Sequence, residues 1–228
     1  MNPGTVIVHI ISPVEFSPEG DRAVLSDTET LRAAAFRFPE DATRWTGFRA
    51  ALRRILGEAV RKAPQDVPLV LTESGKPVLA PPFDHLHFSL SHCNGLALVA
   101  LCAEGPVGID LEPISRAPDL SGCENSFCHP DEIAALPVEQ SARCFQLLEI
   151  WTAKEALLKA LGTGFLHPPE TIRIQPEASR FNATCDEPLP GIASQIIQHL
   201  QHPALTAYCA ALSIPASVSR IEIVPRKA

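Results

Sequence analysis

The chain has 228 residues, 46% hydrophobic and 20% charged, with 22 prolines, seven cysteines and a formal net charge of −7. That is enough apolar material for one large domain or two small ones, and the acidic balance argues against nucleic acid as the main partner. An odd cysteine count without a Cys-x-x-Cys pair points away from a disulfide framework and toward reduced thiols in a cytoplasm; the longest apolar run, 96–103, is too short to span a bilayer.

In chain order, residues 6–11 read as a strand, with no basic region before them, so neither export nor membrane insertion is expected. Ser26-Asp27-Thr28-Glu29 has the form of a capping box opening a short helix to about Phe36, and a longer helix is expected over 42–62. Within 32–62 stand Arg32, Arg37, Arg44, Arg49, Arg53, Arg54, Arg61 and Lys62 against Glu40, Asp41 and Glu58, a local excess of five positive charges. Such a field on an acidic protein suits a defined anion, either a phosphorylated ligand or an acidic protein surface. Arg54 and Arg61 fit a solvated helix face, whereas Arg49 and Arg53 flank the Trp45, Phe48, Leu52, Leu56 stripe and are better placed to meet a partner or the other half of the protein.

Strands are expected over 67–72, 86–90, 96–102 and 107–112, punctuated by Gly75, Pro81-Pro82 and Gly105-Pro106. The second stretch repeats the mix, with a short helix at Pro130, a long amphipathic one over 141–161 whose apolar stripe includes Phe145, and strands over 171–174, 205–212 and 219–224. A boundary near Glu104 divides the chain into halves, 1–103 and 104–228.

On the 107–112 strand Asp110 and Glu112 share a face, and two carboxylates so close call for a cation between them, with magnesium or manganese favoured over zinc. On the long helix Glu155 and Lys159, four apart, also share a face; the blander readings are a solvated acid pair and a helix-stabilising pair contributing about 0.2 to 0.5 kcal/mol. Ser91 and His92 are adjacent on a strand and point to opposite faces, so they cannot form a nucleophile and its base. Asp84, His85 and His87 leave open a metal-dependent hydrolase, and a non-enzymatic carrier-protein binding module is a second alternative. Cys123, Cys128 and His129 lack the second ligand pair a zinc site needs.

Taken together, Gly75-Lys76-Pro77, Phe88-Ser89-Leu90-Ser91-His92, Gly108-Ile109-Asp110-Leu111-Glu112, Phe127 with Pro130-Asp131-Glu132, and Trp151-Thr152-Ala153-Lys154-Glu155 running on to Lys159 and Gly162 resemble the 4′-phosphopantetheinyl transferase superfamily, nearest its longer, surfactin-synthetase-activating type. The similarity is colinear from about Ser26 to Gly164. It implies an α+β fold of two similar α/β halves about a pseudo-twofold axis, the active site in the cleft between them, in a cytoplasmic monomer. It implies transfer of 4′-phosphopantetheine from coenzyme A to a serine of an apo acyl or peptidyl carrier protein, releasing adenosine 3′,5′-bisphosphate. By the same resemblance Asp110, Glu112 and Glu155 would hold Mg²⁺, Glu155 would be the base and Lys159 would steady the phosphates. Arg44, Arg49, Lys76, Ser91 and His92 would bind the nucleotide, Glu132 would support the site, and Gly162-Thr163-Gly164 would end the long helix. The chain departs from the pattern at Cys93, where a small hydroxyl residue is common and which would lie near the adenosine, and at Glu149, where an aromatic or neutral residue is usual.

Overall fold

The computed structural model describes residues 2–12, 18–93, 95–177 and 180–227. Its strands are β1 (Thr5–Ser12), β2 (Leu69–Leu71), β3 (Pro77–Leu79), β4 (His87–Cys93), β5 (Leu96–Cys102), β6 (Gly108–Pro113), β7 (Ile172–Glu177), β8 (Arg180–Cys185), β9 (Gln195–His199), β10 (Tyr208–Pro215) and β11 (Arg220–Lys227). Its α-helices are α1 (Pro18–Arg22), α2 (Asp27–Ala34), α3 (Pro39–Val60), α4 (Pro130–Ala134) and α5 (Gln140–Leu161).

The fold is α+β. One sheet runs β11-β1-β5-β4, a second runs β6-β10-β9-β8-β7, and β2 with β3 forms a small hairpin. Strand alternation makes the layers. On β1, Val6, Val8 and Ile10 point to one side and Ile11 to the other. The first set packs with Leu96 and Leu98 of β5 against Ile109, Leu111, Ala210 and Leu212 of the second sheet, so one apolar cluster joins the inner faces of both sheets. On the far side of the first sheet, Ile11, Ala97, Val99 and Leu101 meet Phe48, Leu52, Ile55 and Leu56 of α3. On the second sheet, Ile172, Ile174, Ile197 and Ala211 meet Ala153, Ala156 and Leu157 of α5. Each such fully buried aliphatic side chain contributes roughly 1.5–3 kcal/mol.

The helix ends follow local chemistry. Ser26 and Glu29 close a reciprocal capping box on α2. The next helix, α3, starts three residues before the expected position because Pro39 occupies its first turn, where a missing N–H costs nothing, followed by Glu40 and Asp41 on the positive end of the helix dipole. At the end of α5, Gly162 adopts a left-handed cap at φ 74°, returning its N–H to the Leu158 carbonyl.

Several strands differ from expectation. The 67–72 strand shrinks to Leu69–Leu71, since Pro64–Asp66 is a 3₁₀ turn and Thr72 accepts the hairpin's closing bond from Gly75. Residues 203–205 are a 3₁₀ turn capped by His202, so the strand there begins at Tyr208 and runs on to Pro215. Strands β3, β8 and β9 had no sequence signal: they are short or polar, and their stability comes from the neighbours they pair with. Finally, β11 returns to pair in parallel with β1, so residues 220–227 belong to the sheet built mainly from the 1–103 stretch.

Candidate active site

The two sheets meet edge to edge at β4 and β6 through side chains. Ser89 and Ser91, two apart on β4, both face β6. Ser89 Oγ accepts from the Ile109 amide at 3.1 Å, and Ser91 Oγ donates to Asp110 Oδ1 at 2.9 Å. Serine suits this position because its short side chain satisfies an edge strand's polar groups where no backbone ladder runs. On the other side of β6, Gly108 lies directly against α5: a Cβ built there would stand 1.9 Å from the Ala156 carbonyl oxygen and 2.4 Å from the Ala160 nitrogen. Only glycine permits that approach. It brings β6 and the last turns of α5 together, and with them Asp110, Glu155 and Lys159.

Asp110 is 4% exposed. Its Oδ1 accepts from Lys159 Nζ at 2.6 Å as well as from Ser91, while its Oδ2 is buried with no hydrogen-bond partner. Lys159 Nζ also reaches Ser91 Oγ at 3.3 Å. Burial, with the Asp110 charge next, pushes the Glu155 carboxyl up to about 7; Glu112 adds to the rise, and Lys159 and Arg116 oppose it. Glu112 shares the β6 face with Asp110, yet its Oε1 is taken by the Arg116 guanidinium and by Trp151 Nε1 at 3.2 Å.

A divalent cation fits this charge. A buried carboxylate oxygen lacks a donor, and a neighbouring acid resists ionisation through its burial and then through the charge of the first. The ligand set is not preassembled, however: among the described residues no three His, Cys, Asp or Glu side chains stand together as metal donors, and Glu112 Oε1 is occupied by Arg116 and Trp151.

Beside this cluster a cavity of about 340 Å³ is lined by Lys76, Phe88, His92, Lys159 and Gly162, among others. His92 stacks on Phe48 of α3 with ring centroids 5.1 Å apart. Its pKa is lowered by burial and then by the charges of Lys159 and Arg44. Arg44 itself pairs loosely with Asp41 at 3.7 Å, about half exposed. Lys76, held near 8 by burial, donates to the carbonyls of Lys159 at 2.5 Å and Ala160 at 3.4 Å, so it caps the C-terminal end of α5 as it lines the cavity. Ser91 points the other way, to Asp110.

Four expectations are qualified by the contacts these residues make. Arg49 and Arg53 do not present a docking face: both close on Glu29 of the α2 capping box, and Arg53, 3% exposed, also donates to the carbonyls of Pro64, Gln65 and Val67. Arg49 thus rests on Glu29 and lines a second cavity that shares Gly75 and Pro77 with the one lined by Lys76 and His92. Cys93 alternates with His92 on β4 and packs against the cluster between the sheets; its thiol, pushed up to about 12 by burial, feels Glu112 and Asp110. The hydrolase alternative loses its geometry, because β4 begins at His87 while His85 lies in the preceding turn, its Nδ1 against the Pro82 carbonyl.

Among residues the sequence reading left without a role, Lys154 is the most consequential. It is 1% exposed and donates to Glu132 Oε2 at 2.6 Å and to the carbonyls of Phe127, Pro169 and Ile172. Glu132, read as supporting, also accepts the His129 and Ile174 amides and ties α4 to β7. His129 caps α4, Nδ1 accepting from the Asp131 amide, which gives it a structural task in place of a zinc-binding one. Phe145, placed in the apolar stripe of α5, is 40% exposed, and Leu147 and Leu148 carry that burial instead.

Comparison with known proteins places this geometry in a family. Residues 106–212, which hold β6, α5 and the second sheet, match the model of the 4′-phosphopantetheinyl transferase superfamily. The chain is 40% identical over 147 residues to 4′-phosphopantetheinyl transferase HetI of Nostoc sp., covering 62% of this chain and 61% of that one. It is 31% identical over 134 residues to 4′-phosphopantetheinyl transferase gsp of Aneurinibacillus migulanus, 55% of this chain and 54% of that one. The matches therefore span little more than half the length of these relatives. The E. coli 4′-phosphopantetheinyl transferase AcpT is 31% identical over 152 residues, 62% of this chain and 73% of that one. The solved holo-acyl-carrier-protein synthase of Thermotoga maritima is too distant to bear on the fold, at TM-score 0.40 and 18% identity over 48% of this chain and 62% of that one. By its identity to AcpT over most of that protein, and by the match through β6 and α5, this chain belongs to the 4′-phosphopantetheinyl transferase superfamily.

Proposed function

We propose that this protein transfers the 4′-phosphopantetheine arm of coenzyme A to a serine of an apo acyl or peptidyl carrier protein. The observation that carries the reading is the convergence of Asp110, with one unpartnered oxygen, Glu155, with its raised pKa, and Lys159 beside a cavity lined by Lys76 and His92. The carrier serine oxygen attacks the phosphorus on the pantetheine side of the pyrophosphate, the bridging P–O bond breaks, and adenosine 3′,5′-bisphosphate leaves with the bonding pair. Glu155, poised near neutrality, accepts the serine proton. Lys159 neutralises charge building on the phosphates, and Ser91 holds Asp110 in place. Mg²⁺ would be held by Asp110 and Glu155 with Glu112 alongside, and it supplies charge neutralisation on the pyrophosphate. His92, Lys76 and Arg44 suit the phosphates of the nucleotide by charge and position.

The non-enzymatic binding module is disfavoured because such a module has no need to keep buried acids and a lysine converged on one point. We place the enzyme in a cytoplasm, since all seven cysteines are free. We read it as a monomer with two related halves: one chain supplies both sides of the site, and each sheet carries its own 22-residue helix. Mass spectrometry of apo carriers incubated with coenzyme A, Mg²⁺ and the protein tests the reading. A phosphopantetheine mass increment with wild type, lost with Asp110→Asn, is the expected result; unmodified carriers across acyl and peptidyl types would sink it.

A further inference from the structure

We propose that Arg116 is an internal counter-cation that competes with the divalent metal for Glu112 and so sets the metal affinity of the site, an inference that rests on the transferase reading. Arg116 lies four residues beyond Glu112, in the 3₁₀ stretch Ile114–Leu120 that folds back as β6 ends. Its guanidinium donates to Glu112 Oε1, the oxygen that also takes the Trp151 indole N–H at 3.2 Å. It is held there by stacking, its central carbon 5.5 Å from the Trp151 ring centroid. The two acids of the strand are thus treated differently. Lys159 binds one oxygen of Asp110 and leaves the other, buried, without a donor. Arg116 and Trp151 both hold Oε1 of Glu112, and among the described residues no three acids stand together as metal donors.

For Glu112 to give its Oε1 to a metal, the guanidinium must let go of it. Removing Arg116 frees Glu112 and makes the site more negative by one charge, so both effects tighten metal binding. A purely positioning role for Arg116, holding Glu112 where a metal needs it, has the opposite sign.

The test is Mn²⁺ binding to the coenzyme-A-free protein, followed by the EPR signal of the free ion. Arg116→Gln should bind Mn²⁺ about fivefold to tenfold more tightly than wild type, roughly 1 to 1.4 kcal/mol. Arg116→Lys, which keeps the charge but loses the planar fork and the ring stacking, should fall between them. With Glu112→Gln as background only the charge effect remains, so removing Arg116 should tighten binding distinctly less than it does in the wild-type background. Equal or weaker binding by Arg116→Gln overturns the proposal, as does the same gain in the Glu112→Gln background or no Mn²⁺ binding by any form. Should Arg116→Gln not fold, Arg116→Lys binding no more tightly than wild type overturns it. The two readings fail separately, because carrier mass spectrometry judges the transfer and Mn²⁺ affinity judges the competition.

Discussion

Helix α5 carries two lysine–carboxylate pairs, and they are finished differently. Lys154 with Glu132 is closed on every side: the ammonium meets three carbonyls besides the acid, and both oxygens of Glu132 take backbone amides. Lys159 with Asp110 has a side chain 30% exposed on the lysine side and an orphaned oxygen on the acid side. A buried charge pair costs several kcal/mol of desolvation and is tolerated when the surrounding groups complete it. The first pair is completed by the fold. The second has an acceptor left over and a cavity beside it, an arrangement that costs stability unless something outside the fold fills it.

Mutation should separate the two sharply. Lys154→Met leaves the Glu132 carboxylate buried without its cation, and it should lower the free energy of unfolding by about 3–5 kcal/mol. Lys159→Met also takes the cation from a buried carboxylate, but from a pair open on the lysine side and with Ser91 still donating to Asp110, so it should cost less than Lys154→Met, about 1–3 kcal/mol, while carrier modification falls at least about a hundredfold through loss of a charge aimed at the phosphates. Urea unfolding and a carrier-modification assay on both variants supply the measurement. A Lys154→Met protein as stable as wild type would erase the distinction.

The sequence carried much of this, unevenly. Long periodic helices and strands rich in β-branched residues were legible, as were the capping box and the Gly162 cap, because each is specified locally. The strands β3, β8 and β9 were not, since their signal lies in the partner they pair with. In the site, alternation on β6 put Asp110 and Glu112 on one face and helical spacing put Glu155 and Lys159 on another. What brings the two faces together is the contact at Gly108, and no periodicity reports a contact distance. Spacing likewise could not show that Arg49 and Arg53 spend their charge on Glu29, or that Arg116 pairs with Glu112.

A buried base without an acid of its own sharpens the comparison further. His9, 4% exposed on β1, accepts the Arg226 Nε–H at its Nδ1, and burial, with the Arg226 charge next, lowers its pKa to about 4. Below its ordinary value of about 6.5 the unfolded chain takes up a proton that the folded chain refuses. The stability His9 contributes is therefore present above that value and is lost as pH falls toward 4, by about 2 kcal/mol between pH 7 and pH 5. Urea unfolding at the two pH values, in wild type and in His9→Gln, isolates the effect. The glutamine protein should lose less stability over that interval by about this amount, and equal losses would show that His9 is protonated freely in the folded state.

The smallest expected effect lies at the start of α2. Ser26 Oγ accepts the Glu29 amide at 3.4 Å, a long bond, and the Glu29 carboxylate returns to the Ser26 amide at 2.9 Å while also holding Arg49 and Arg53. Glu29 is thus fixed three times over, and the two arginines keep it in place when the serine hydroxyl is removed. Ser26→Ala should therefore cost at the low end of the range for capping residues, about 0.5–1 kcal/mol. Glu29→Gln should cost distinctly more, about 3 kcal/mol, because it strips the charge from a site that contains two guanidinium groups, one of them almost wholly buried. Neither change touches the cavity lined by Lys76 and His92, so carrier modification at saturating coenzyme A should stay within about twofold of wild type for Ser26→Ala. A cost above about 2 kcal/mol for Ser26→Ala would mean that the serine, and not the arginine pair, holds Glu29, and that this end of the molecule is completed by its hydrogen bonds rather than by its charges.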